Sequence, residues 1–312
     1  MNMLTNQGLN ANFIDMKYLI TTDATADYPR CFEEKDFSIL PMSYILDDDV
    51  YDGIKTPYLS AVEFFGRLSS GAYAKTAMAT PTVVYSFFED LLKQGKDIIH
   101  ISFAGPLSGA YNCYCNIAEE LREKYPDRKI NIVDSKSASI GEGLLVWYAL
   151  RNRDNGASYE DEVSYITSMR DNMGHLFTID DIMHLYRGGR LKKNAALIGK
   201  TIQIKPILSC DPDGNLITIG KAIGKRNAIK SVISFFGEMS KGQEQDIIFI
   251  QHADNLKDAE LLKSKVLEIC NISEDKIIID ELGPIIGTHL GKGALTLSFK
   301  CKDRKEKLKF EK

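Results

Sequence analysis

The sequence predicts an α/β protein of two domains, a parallel-sheet domain followed by an α+β domain, and three observations carry that expectation. Short apolar runs alternate with amphipathic stretches at helical spacing through the first half of the chain. A polar stretch, "NRDNGASYE" (152–160), interrupts that alternation. Beyond it, hairpin-like strands are mixed with helices, so we expect a mostly antiparallel sheet there. The expected domains are residues 17–160 and 161–303.

In the first half, "KYLITTD" (17–23), "DIIHISF" (97–103) and "KINIVDS" (129–135) read as buried strands. "TPTVVYSFFEDLLKQG" (80–95) reads as a helix with Thr80 as N-cap, Pro81 in the first turn and Gly95 beyond the last. Further helices are expected from about Ala110 to Lys124 and over "EGLLVWYALR". Strand–helix alternation of this kind gives a parallel sheet covered by helices. In the second half, "HLFTID" (175–180) is a strand and "DDIMHLYRGGR" (180–190) a helix closed at Gly188-Gly189, with a second short helix through "AALIGK". "IKPILSCDPDGNLITIGKAI" (204–223) is a hairpin turning at "DPDG". Strands follow at 246–252, 276–281 and 294–299, with helices at about 224–240 and 255–270.

With 312 residues, 44% hydrophobic and 26% charged, the chain has the apolar mass for a full core. A net charge of −4 gives no electrostatic case for nucleic acid or an anionic membrane. The tail "KCKDRKEKLKFEK" is mixed in sign and reads as a solvated edge. "MNMLTNQGLNANFIDM" lacks an apolar signal-peptide segment, and no run approaches the ~18 apolar residues that span a bilayer. The six cysteines are scattered, as expected of reduced thiols in a cytoplasmic protein.

The five histidines form no HxH or HExxH pair, so no metal site is expected. His100 lies inside an apolar strand and reads as a satisfied core residue; His184 has no evident role. There is no GxSxG elbow, no GxxxxGK[ST] and no GxGxxG after a strand. "RGGR" (187–190) reads as a helix C-cap flanked by arginines.

Each first-half strand is instead followed by hydroxyl-bearing or small residues: Thr21, Thr22 and Thr25, then Ser108-Gly109, then Ser135, Ser137 and Ser139. Ligands of open α/β sheets bind beyond these carboxyl ends. Ser108 opens a helix, so it can be a simple N-cap or can serve an anionic oxygen. "GPIIGTHLGKGALTLSF" (283–299) places His289 among four glycines. What remains is a site for a weakly charged or anionic head group, with Thr76, Ser108 and His289 as the polar candidates.

From about residue 17 to 300 the sequence resembles the DegV family of bacterial fatty-acid-binding proteins. The matching segments, in order, are "ITTDATADYP", "PMSYILDDDVYDG", "KTAMATP", "LSGAY", "IVDSKSASIGEGLLV", "DDIMHLYRGGRL", "IKPILSCDPDGNL" and "GTHLGKGALTLSF". The resemblance implies a two-domain fold with a long-chain fatty acid between the domains and its tail in an apolar tunnel. It implies that Thr76, Ser108 and His289 hold the carboxylate, with Arg187, Gly109 and Thr288 in the surrounding head-group network. It further implies a carrier without cofactor that presents its ligand to a separate fatty acid kinase for conversion to the acyl phosphate. The alternative is an enzyme, a Ser108/His289 hydrolase or an acyl-transfer enzyme on a lipid-like substrate. Ala77, Met78 and Ala79 replace the family's Ser, Gln and Pro, and Ala104-Gly105 replace paired serines. The basic run "RGGRLKK" (187–193) is a candidate docking surface for the kinase.

Overall fold

The computed structural model describes residues 18–32, 37–191 and 203–305. Strands β1 (Tyr18–Asp23), β2 (Phe37–Leu40), β6 (Asp97–Ser102) and β7 (Ile130–Asp134) form an all-parallel sheet in the order β2-β1-β6-β7. β1 is buried along its whole length, as expected of a central strand covered on both faces. His100 is a core residue, as its strand position implies, but only half satisfied. Nδ1 lies 2.9 Å from Thr21 Oγ1, while Nε2 is buried without a partner.

Helices α2 (Pro81–Lys93) and α3 (Ala110–Lys124) cover one face of this sheet. Thr80 caps α2 by accepting from the Val83 N–H at 3.4 Å, and Pro81 sits in the first turn. α4 (Ile140–Asp154) lies on the other face and is buried on nearly every side, because the second sheet packs against it too. The polar stretch at 152–160 is a tight joint: α4 ends at Asp154, and Ser158 caps α5 (Tyr159–Met169) by accepting from the Asp161 N–H at 3.2 Å.

The second sheet contains β8 (Met173–Thr178), β9 (Ile204–Cys210), β10 (Leu216–Ile223), β11 (Ile248–His252), β12 (Ile277–Glu281) and β13 (Leu295–Lys300). Its order is β10-β9-β8-β13-β11-β12, and every pairing is antiparallel except β11 with β12. In the "DPDG" turn the Asp211 carboxylate accepts from the Asp213 and Asn215 N–H groups, which fixes the hairpin. α7 (Lys225–Ser240) and α8 (Leu256–Ile269) cover the outer face. The helix expected over 180–190 is shorter, α6 (Met183–Arg187), and the one expected through "AALIGK" lies outside the described residues.

One module differs from the expected strand–helix alternation. Between β2 and α2 the chain builds an antiparallel three-stranded sheet from β3 (Ser43–Leu46), β4 (Asp49–Tyr51) and β5 (Ala74–Ala77), with α1 (Ala61–Ser69) inserted. Aromatic rings hold it together. Tyr44 stacks on Tyr51 with centroids 4.8 Å apart and meets Phe64 edge-on at 5.3 Å.

Gly141 shows how tightly α4 is held between the sheets. A Cβ there would lie 2.2 Å from both His175 Nδ1 and Ser137 Oγ. Gly141→Ala is expected to destabilise the fold by about 1–3 kcal/mol through overpacking. Urea unfolding will show this as a lowered midpoint at unchanged slope; a wild-type midpoint contradicts the packing argument.

Candidate functional site

α9 (Pro284–Leu290) starts at Gly283, with Pro284 in its first turn, and ends at Gly291. Its last turn carries His289 toward β5. There His289 Nε2 meets Thr76 Oγ1 at 2.8 Å. Two glycines make this approach possible. Gly287 has Phe65 and Phe64 against it, and a Cβ there would lie 2.7 Å from the Phe65 ring. Gly188, just after α6, lies under the imidazole, where a Cβ would fall 2.3 Å from His289 Nδ1. Within the glycine-rich stretch, Gly287 is thus required by the α1 rings, while the glycine that the imidazole itself requires, Gly188, comes from the end of α6.

His289 Nδ1 is buried without a hydrogen-bond partner. A buried N–H left unpaired costs more than an unpaired ring nitrogen, so we assign the proton to Nε2, which donates to Thr76. The Thr76 hydroxyl proton is then free. Burial, helped by the nearby charge of Arg190 and by His184, pushes His289 down to about 4, so the ring is neutral near pH 7.

Two cavities meet at this pair. A polar one of about 240 Å³ is bordered by Lys75, His184, Arg187, Arg190 and Thr288 as well as Thr76 and His289. An apolar one of about 70 Å³ is bordered by Ser108, Met42, Phe103, Phe177 and Leu216, again with Thr76, Arg190 and His289. Thr76, Ser108 and His289 therefore come together around one space, from β5, the start of α3 and α9. Gly109, not Ser108, is the N-cap of α3; Ser108, one residue earlier, accepts from the Ala110 N–H at 3.2 Å in a local turn and borders the cavity. Its own proton stays available.

The remaining predicted residues are more dispersed. Arg187 is half exposed, borders only the polar cavity and pairs with Asp181 at 3.6 Å. Thr288 borders the same cavity, with its hydroxyl donating to the Pro284 carbonyl at 2.8 Å. Gly109 is the residue before α3 and borders neither cavity; its neighbour is the Met78 sulfur. Lys192 and Lys193 of the basic run lie outside the described residues.

Three residues not predicted at the site belong to its surroundings. Arg190 borders both cavities, is held by the Leu107 carbonyl at 3.1 Å, and is the charged side chain on the apolar cavity. Its signal was the second arginine of "RGGR". His184 shares the α6 face of Arg187, three residues on, and borders the polar cavity. Thr25 borders the apolar cavity, while its hydroxyl meets Asp23 and, at 3.0 Å, Glu142. Both acids are fully buried, and burial pushes each of them up. Among the described residues no group of three or more His, Cys, Asp or Glu is placed to hold a metal ion, and no helix is long and apolar enough to cross a membrane.

Comparison with known proteins follows the same outline. The model of the DegV family, described as that of an uncharacterised protein, matches residues 17–302. The DegV domain-containing protein CPE0026 of Clostridium perfringens is 34% identical over 91% of this chain and 97% of its own length. The chain belongs to the DegV family. The crystal structure of the fatty acid binding DegV family protein SAG1342 from Streptococcus agalactiae superposes with a TM-score of 0.80 at 27% identity, covering 92% of this chain and 99% of that one. A DegV family protein from Eubacterium eligens loaded with heptadecanoic acid shares the fold, with a TM-score of 0.80 at 18% identity over 91% of this chain and all of that one.

Because the folded value of His289 lies below the ordinary 6.5, its contribution to stability is present above pH 6.5 and is lost as pH falls through about 4. An NMR titration should find the His289 ring neutral from pH 8 down to about 5. A transition near 6.5 would mean that the ring is not held as described.

Proposed function

We propose that this chain binds a long-chain fatty acid between its two domains, residues 17–160 and 161–303, with the carboxylate at Thr76, Ser108 and His289. It presents that ligand in the cytoplasm to a separate fatty acid kinase, which makes the acyl phosphate, and uses no cofactor. The observation that carries this reading is the position of the Thr76–His289 pair, in the wall shared by a polar and an apolar cavity. That is the place where a molecule with a charged head and an apolar tail changes environment.

The proton inventory supports a carboxylate. Thr76 accepts from His289 and Ser108 accepts from a backbone N–H, so both hydroxyls keep a proton to donate. Arg190 adds a cation whose basicity desolvation lowers. Tail burial is favourable by about 0.8 kcal/mol per methylene, while an unpartnered buried carboxylate is heavily penalised. A few donors therefore set the ligand's orientation. The apolar cavity, at about 70 Å³, is smaller than a long chain needs, so the tail enters by parting side chains such as Met42 and Leu216. The named binding property of the Streptococcus agalactiae relative supports the same ligand class.

The geometry speaks against the hydrolase alternative. His289 Nε2 is directed to Thr76 rather than Ser108, and Nδ1 lacks the carboxylate that orients the ring of a Ser–His–Asp triad.

Thr76→Ala and Ser108→Ala should each weaken palmitate binding by about 10- to 100-fold, the value of a hydrogen bond to a charged group, and His289→Ala, which acts through the Thr76 hydroxyl, should weaken it less. Calorimetric titration measures this, and unchanged affinity in all three would remove the site. A fluorogenic ester turned over by wild type but not by Ser108→Ala would instead establish the hydrolase. A second test mixes the loaded protein with a candidate kinase and ATP. Acyl phosphate should form only with both proteins, and formation by this chain alone would contradict the carrier role.

A further inference from the structure

A ring of hydrogen bonds beyond the carboxyl end of β1 joins four segments of the chain. Asp27, in the left-handed region at φ +46, follows β1; Ser139, at φ +51, precedes α4; Gln251 lies in β11; and Gly283 opens α9. The Gln251 amide donates to the Asp27 carbonyl at 2.8 Å. The Gly283 N–H donates to Asp27 Oδ1 at 3.1 Å. Ser139 Oγ lies 2.8 Å from Asp27 Oδ2 and 3.1 Å from Gln251 Oε1.

The last two distances pose a counting problem. Ser139 has one proton, and an ionised Asp27 and the Gln251 carbonyl are both acceptors. With Asp27 ionised, either the buried Gln251 carbonyl or the half-buried Asp27 Oδ2 goes unserved by Ser139. With Asp27 protonated, Oδ2–H donates to Ser139, Ser139 donates to Gln251, Gln251 donates back to the Asp27 backbone, and every group is paired. We propose that Asp27 works as a neutral carboxylic acid whose proton closes this ring, and that the closed ring positions α9, and so His289, against the parallel-sheet domain. Its functional readout rests on the fatty-acid reading above; the proton arrangement itself does not.

The surroundings agree. Burial pushes Asp27 up to about 7, and Asp280 on β12 adds to this, while Ser139, Gly283 and Arg30 act in the opposite direction. Burial also pushes up Glu142 on α4 and the Tyr58 hydroxyl; Asp23 at the end of β1 acts on both in the same direction, and an ionised Asp27 would add to that. Because the folded value lies above the ordinary 3.8, the contribution of Asp27 is fully present below pH 3.8 and is lost as pH rises through about 7.

Asp27→Asn is the decisive variant. Its amide can donate to Ser139 and accept from Gly283 as the neutral acid does, but it cannot ionise; Asp27→Ala can do neither. With palmitate as the probe, Asp27→Asn should match wild type at pH about 5.5, whereas at pH about 8.5 wild type should release palmitate on the order of tenfold faster than Asp27→Asn. Asp27→Ala should release it quickly at both. Thermal unfolding should show Asp27→Asn more stable than wild type at the higher pH only. The infrared band of protonated carboxyls should weaken in Asp27→Asn at the lower pH. An Asp27→Asn protein that fails to fold, or behaves as Asp27→Ala at both values, overturns the proposal, as does an unchanged infrared band. If wild type binds no palmitate at either pH, the fatty-acid reading falls, and the unfolding and infrared comparisons decide the proton arrangement by themselves.

Discussion

The hydrogen bond between Thr76 and His289 joins residues 213 positions apart, and the arrangement of the site depends on it. It ties the last strand of the small antiparallel sheet to the last turn of α9. For the two to meet, the Phe64 and Phe65 rings of α1 must rest on Gly287, and the imidazole must rest on Gly188. The same bond separates the polar cavity from the apolar one and leaves a neutral imidazole between them. A neutral ring can orient a hydroxyl toward an anion without forming a fixed ion pair with it. Protonation at this position would carry the desolvation cost that keeps the ring neutral.

Behind the site, α4 serves as a layer shared by both large sheets. Its apolar side chains fill one continuous core with β1, β6 and β7 on one side and β8 and β11 on the other. Glu142 on this helix sits fully buried beside Thr22 and Thr25, with Asp23 close by. Such groups are tolerated because hydroxyls and backbone amides surround them, and because a carboxyl held neutral avoids most of the penalty of a buried charge. Thr25 links this cluster of acids and hydroxyls to the cavity that it borders.

Much of the fold was legible because the pattern repeats. The strands at β1, β6 and β7 and the helices α2, α3 and α4 stand where apolar runs and helical spacing put them, and Thr80 caps the helix it was expected to cap. The antiparallel module around β3, β4 and β5 escaped notice because its strands are only three or four residues long and its core is aromatic stacking between distant residues. At the site, Ser108 and His289 stood out by residue type and flanking glycines, and Thr76 by the family resemblance of "KTAMATP". Arg190 did not, because "RGGR" contains two equivalent arginines, and only the turn after α6 decides that one pairs with Asp181 and borders the polar cavity alone while the other borders both cavities.

The sequence by itself determined the order and type of the main elements, the absence of familiar nucleotide and hydrolase motifs, and the membership that eight ordered segments announce. These depend on local periodicity and residue identity, which a linear reading preserves. The tertiary structure alone decided which nitrogen of His289 faces Thr76, that Ser108 lies one residue before the cap of α3 and borders a cavity, and that Asp27, Ser139, Gln251 and Gly283 share one ring of hydrogen bonds. Each of those facts is a distance between groups far apart in the chain, and the number of protons available to them can be counted only once the groups are in place.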